Sequence, residues 1–178
     1  ARMIEFDIQL TRDRVPILLH DIDFQRTGGR SERVVDIDYA QTLEIEVAQT
    51  GQFGEKYSGT RAPRLADVVN HLREWPNVTA FVELKRQSLE HFGRTAVLDA
   101  VLANLEPVFE QCVLISFDAD VLFETRQRLQ MPTGWALRSY DNDSRELATD
   151  LSPDYLFCNQ TRLPPAAYDL WPGSWEWV

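Results

Sequence analysis

Apolar and polar residues alternate over residues 4–10. Ile4, Phe6 and Ile8 take one parity and Glu5 and Asp7 the other, a period-two pattern that predicts a strand. Residues 16–20 form a short apolar run, Pro-Ile-Leu-Leu-His, read as a second strand. Residues 22–62 show no period and are broken by Gly28, Gly29, Gly51, Gly54 and Gly59. Leu65, Val68, Val69 and Leu72 then recur at helical spacing within 63–75. From there strand and helix patterns take turns. Strands are predicted over 79–85, 112–117, 134–137, 154–158 and 175–178. Helices are predicted over 89–109, where Val97, Leu98, Val101, Leu102 and Leu105 share a face, over 119–129 and over 144–149. Asp118 or Asp120 stands near the start of the 119–129 helix, the end that favours negative charge.

Short apolar strands separated by helices predict βα units and a parallel sheet. Seven strand candidates fit a (β/α)₈ barrel incomplete at both ends, since the pattern opens inside a strand at Ala1 and stops inside another at Val178. The rival, a doubly wound open sheet, would carry a Gly-rich phosphate loop after a strand, and none is present. With 178 residues, no internal repeat and no long linker, the chain reads as a single domain over 1–178.

Charge and cysteine content narrow the function. Lys and Arg number 18 against 28 Asp and Glu, a formal charge of −10, which argues against general nucleic-acid binding. No apolar run approaches the roughly 18 residues that span a bilayer, so no integral membrane segment is expected. Cys112 and Cys158 are too few for a disulfide framework. Both lie in apolar runs and are expected as buried free thiols, which fits a reducing, cytoplasmic setting.

The polar residues at strand ends are the candidate chemistry. Glu5 and Asp7 share a strand face; the alternative is a solvated acidic edge. His20-Asp21 closes the second apolar run, where a barrel places its chemistry, although a turn histidine fits as well. Glu83 and Lys85 repeat the same-face device in Phe-Val-Glu-Leu-Lys; a structural ion pair is the bland reading. Together these residues put three carboxylates, an imidazole and an ammonium at one mouth. Oxygen donors favour a hard divalent cation such as Mg²⁺ or Ca²⁺, and a cation beside Lys85, with Arg26 as a weaker substrate contact, suits a phosphate. Ser116 has no base beside it and is read as a lining residue rather than a nucleophile. His71 and His91 fall in helical segments and read as surface or packing residues. Core packing is the bland reading of Trp135, Trp171, Trp175 and Trp177.

These segments resemble a known family. Ile-Glu-Phe-Asp-Ile-Gln-Leu-Thr-Arg-Asp, then Val-Pro-Ile-Leu-Leu-His-Asp, Phe-Gln-Arg-Thr, Val-Glu-Leu-Lys and Ile-Ser-Phe-Asp follow the order seen in glycerophosphodiester phosphodiesterases, over residues 1 to about 160. The resemblance implies a TIM barrel of the phospholipase-C-like phosphodiesterase type, with residues 22–61 as a small insertion after the third strand. It implies hydrolysis of a small glycerophosphodiester to glycerol 3-phosphate and an alcohol, with a divalent cation as cofactor. It places metal carboxylates on Glu5, Asp7 and Glu83, a catalytic histidine on His20 and a phosphate-side lysine on Lys85, and Asp21 follows the histidine as in the family. The family's His-Arg-Gly motif, whose histidine is the other acid/base residue, has no counterpart in residues 1–178. A related barrel acting on another lipid head group and a non-catalytic barrel domain are the competing readings.

Overall fold

The computed structural model describes residues 2–165 and 170–178; Ala1, which opens the first strand pattern, lies outside them. In chain order the strands are β1 (Met3–Leu10), β2 (Pro16–Leu18), β3 (Asp23–Phe24), β4 (Arg30–Arg33), β5 (Thr79–Leu84), β6 (Cys112–Ser116), β7 (Thr133–Ala136), β8 (Tyr155–Phe157) and β9 (Glu176–Trp177). The helices are α1 (Gln25–Gly28), α2 (Tyr39–Thr42), α3 (Thr50–Phe53), α4 (Leu65–Glu74), α5 (Arg86–Phe92), α6 (Arg94–Leu105), α7 (Ala119–Arg128) and α8 (Asn142–Leu151). Seven strands make one sheet in the order β2-β1-β5-β6-β7-β8-β9. Its neighbours are parallel except β2, which runs antiparallel to β1. The expectation of a barrel strand over 16–20 is corrected here. That run turns back after residues 11–15, where the Thr11 N–H donates to the Val15 carbonyl (3.1 Å) and Arg14 takes a φ of 61°. Five residues close a hairpin but cannot make the crossover that a parallel neighbour needs.

Side-chain parity splits the sheet into two faces. Ile8, Val82, Leu84, Leu114, Trp135 and Leu156 pack outward against α4, α6, α7 and α8 in the main core. Phe81, Val113 and Ile115 pack inward with Tyr155 and Phe157. The Phe81 ring lies 5.1 Å from Tyr155 and 5.6 Å from Phe157, centroid to centroid. Three strand steps separate β5 from β8, about 14 Å in a flat sheet. Rings that far apart in the strand order meet only if the sheet curls on itself, so the inward face is the interior of a barrel wall. Gly134 permits the curl, because a Cβ there would stand 2.7 Å from both Ile115 and Phe157.

The predicted helix over 89–109 is broken. Gly93, at a φ of 83°, ends α5 and starts α6, and a 3₁₀ segment follows from Glu106 to Gln111. Asp118 caps α7, accepting from the Val121 N–H at 3.0 Å, as its position foretold. The stretch read as irregular holds the β3–β4 hairpin and α1 to α3, and its Phe24, Val34, Ile37, Ile45 and Ala62 form a separate small core with Ile17 and Leu19. Among the described residues no helix is long and apolar enough to cross a membrane. Cys112 is buried, and burial pushes its thiol up to about 12; Cys158, expected buried, is only half-buried. Trp135 and Trp171 are core residues, and Trp171 stacks on Tyr140 at 4.0 Å.

Candidate active site

Parallel pairing of β1 with β5 sets Asp7 opposite Glu83, two residues beyond Glu5 opposite Phe81. The period-two rule turns all three carboxylates to the inner face, with Glu83 one residue from the carboxyl end of β5. Each offers an oxygen, and the three oxygens lie within 4.8 Å of one another. Lys85 follows β5, and its N–H donates to the Ile8 carbonyl (3.2 Å), which aims its side chain along the same wall. Its Nζ reaches Glu83 Oε1 at 2.9 Å and Asp7 Oδ1 at 3.2 Å, with all three side chains largely buried.

The electrostatics follow from this crowding. Glu5 keeps solvent contact, yet desolvation by the wall and then the charges of Asp7 and Glu83 push its carboxyl above the usual range, with Lys85 and His20 opposing. Burial works to lower the Lys85 ammonium, but its hydrogen bond to Glu83 and the charges of Glu83 and Asp7 outweigh that and hold it above its ordinary value. Three carboxylates against one ammonium leave two negative charges uncompensated. An all-oxygen donor set with that excess fits a hard divalent cation.

His20 lies past the end of β2, in the turn that carries the chain beside β1. The Leu19 N–H donates to the Asp7 carbonyl (3.2 Å), so the histidine is threaded next to the carboxylates. Its Nδ1 meets Asp21 Oδ1 at 2.7 Å, and Arg26 Nε donates to Asp21 Oδ2 at 2.6 Å. Burial would raise the Asp21 carboxyl, but the bonds from Arg26 and His20 prevail and lower it. An ionised carboxylate only accepts, so Nδ1 carries the proton. The structure thus brings Glu5, Asp7, Glu83 and Lys85 together as one cluster and His20, Asp21 and Arg26 as a chain of bonds beside it.

Gln9 is a residue that the sequence reading missed. It is fully buried, and its Nε2 donates to the carbonyls of Leu19, at 2.9 Å, and Asp21. The signal was present, since Gln9 continues the parity of Glu5 and Asp7. Ser116, read as a lining residue, is instead fully buried. Its Oγ donates to the Leu84 carbonyl (3.0 Å) and accepts from the Asp118 N–H (3.1 Å), tying the ends of β5 and β6 together. His71 and His91 are exposed and lie against Trp75 and Phe92.

A parallel sheet curled into a barrel wall, with ionisable groups gathered at the carboxyl ends of its strands, is the architecture of TIM-barrel enzymes. Within that class, residues 1–159 match the glycerophosphoryl diester phosphodiesterase family, and the chain belongs to it. Glycerophosphodiester phosphodiesterase 1 of Mus musculus is 30% identical over 132 residues, 71% of this chain and 37% of the mouse protein. The chain thus spans little more than a third of that relative's length. Among solved structures, an Oleispira antarctica phosphodiesterase in complex with the product sn-glycerol-3-phosphate superimposes with a TM-score of 0.79 at 17% identity, over 92% of this chain and 65% of that one. A Silicibacter pomeroyi protein described as a glycerophosphoryl diester phosphodiesterase gives 0.72 at 22%, over 89% and 65%. At these identities the two likenesses establish the shared barrel fold.

Proposed function

We propose that the chain forms the catalytic mouth of a glycerophosphodiester phosphodiesterase that releases glycerol 3-phosphate and an alcohol with the help of Mg²⁺ or Ca²⁺. The observation that carries this reading is the Glu5–Asp7–Glu83 cluster clamped by Lys85. Glu5, Asp7 and Glu83 would hold the cation. When bound, a divalent cation supplies charge stabilisation for a phosphoryl oxygen and acidifies a nearby hydroxyl. Lys85 adds a fixed positive charge for the negative charge that builds on the phosphoryl oxygens. With Nδ1 of His20 committed to Asp21, Nε2 is the nitrogen that accepts a proton from the attacking hydroxyl or returns one to the leaving alcohol. The product in the Oleispira antarctica complex, sn-glycerol-3-phosphate, is the one this reading assigns here.

The test is release of glycerol 3-phosphate from glycerophosphocholine by the full-length protein, with any residues that flank 1–178 included, in the presence of Mg²⁺, of Ca²⁺ and of EDTA. Cation-dependent release abolished by EDTA is the expected result. A folded, cation-loaded protein that releases nothing from glycerophosphocholine or from other glycerophosphodiesters would refute the reading.

A further inference from the structure

The restraint on His20 reaches further than its neighbour in sequence. The His20 side chain is 65% exposed, so packing does not fix its ring. Two sets of hydrogen bonds do. From below, the buried amide of Gln9 donates to the Leu19 and Asp21 carbonyls, the main-chain oxygens on either side of His20. From the side, Asp21 takes Nδ1 with one oxygen and Arg26 Nε with the other. The main chain under His20 is therefore pinned, while its ring depends on where the Asp21 carboxylate stands. That carboxylate is in turn held by a guanidinium from α1, the first helix of the segment expected to be an insertion.

We propose that Arg26 is a positioning residue for His20, acting through Asp21: it anchors the carboxylate that selects the Nδ1–H tautomer and leaves Nε2 free for proton transfer. This rests on the reading of His20 as the proton-moving group. A neutral imidazole left to itself populates both tautomers, and a hydrogen bond to one nitrogen decides between them. A charge-assisted bond from a planar guanidinium holds a carboxylate in direction as well as in place. Arg26 thus acts on the ring without touching the reacting atoms, a different role from the phosphate contact expected from its sequence position.

The test reads the tautomer and turnover separately. Imidazole ¹⁵N spectra of the protein, recorded at a pH alkaline enough to give the neutral ring and with His20 assigned by the signal lost in His20→Gln, should show the Nδ1–H tautomer alone. Arg26 is half-exposed, so Arg26→Met leaves the core intact. In that variant the two nitrogen shifts should move toward each other, the mark of mixed tautomers. With glycerophosphocholine and Mg²⁺, kcat should fall about tenfold or more, with KM within about twofold. Arg26→Lys should restore part of the loss. A raised KM with kcat and the tautomer unchanged would overturn the proposal and make Arg26 a substrate contact. An unchanged tautomer with any loss of kcat would overturn it as well. A mixed tautomer with full kcat would uphold the restraint and refute the role of His20 instead.

Discussion

Charge at the mouth is set by individual side chains, and their separate duties make separate predictions. Glu83 offers an oxygen to the cluster, whereas His20 stands beside it. Glu83→Gln should weaken Mg²⁺ binding about tenfold or more by titration calorimetry, with turnover falling as a consequence. His20→Ala should leave Mg²⁺ binding within about twofold and lower kcat by about 10²–10⁴. Full activity in His20→Ala, or unchanged binding in Glu83→Gln, would remove the corresponding assignment. Glu5 makes a prediction about pH. Its folded carboxyl is held above the ordinary 4.5, so between 4.5 and that raised value the folded state keeps a proton that the unfolded chain has lost. Stability therefore falls as pH rises through this window, and the cost is complete above it. In EDTA, Glu5→Gln should raise Tm at pH 7, and the gain should vanish by about pH 4. Lys85 titrates far away: its contribution is whole below 10.5 and fades only as pH rises through its raised folded value, so it does not blur the comparison. Glu5, Asp7, Glu83 and Lys85 were legible in the sequence because period-two spacing fixes a shared face. Gln9 obeys the same spacing, but a neutral amide announces no chemistry until its two carbonyl partners are seen. The bond between Arg26 and Asp21 spans a turn with no period to reveal it.

Elements carry these side chains into register, and the sequence disclosed the elements unevenly. Periodicity located the parallel strands and the helices that cover them, because each buries one face. It carries no strand direction, so the reversal of β2 is visible only in the short span of residues 11–15. It also ran across Gly93, where the apolar spacing continues although the helix does not. The tight curl of the wall rests largely on β7. A Cβ on Gly134 would meet Ile115 Cγ2 and Phe157 Cε2 at 2.7 Å and the Tyr155 Cβ at 3.3 Å. Neighbours on both flanking strands would have to move. Gly134→Ala should lower stability by about 1–3 kcal/mol in urea unfolding, the usual cost of an overfilled core. Adding Phe157→Leu should recover part of it, whereas two independent losses that simply add would show that the crowding lies elsewhere.

At the scale of the whole molecule, the site and its surroundings pull on a substrate in opposite directions. The chain carries 18 basic against 28 acidic residues, a formal −10, and three of those acids meet at the mouth. A field of that sign draws cations to the carboxylates and repels a phosphodiester that brings a net negative charge. A cationic head group such as choline cancels the phosphate charge at long range, whereas a glycerol or inositol head group leaves it bare. Salt shortens the reach of the field from about 30 Å at 0.01 M to about 8 Å at 0.15 M. At saturating Mg²⁺, kcat/KM for glycerophosphoglycerol should therefore rise several-fold across that range, while the value for glycerophosphocholine should change little. The comparison is internal, since any effect of salt on the fold or on the bound cation acts on both substrates alike. Equal responses would mean that local groups, Lys85 first among them, already screen the incoming phosphate, and that head-group choice is made by contact at the mouth rather than by charge at a distance.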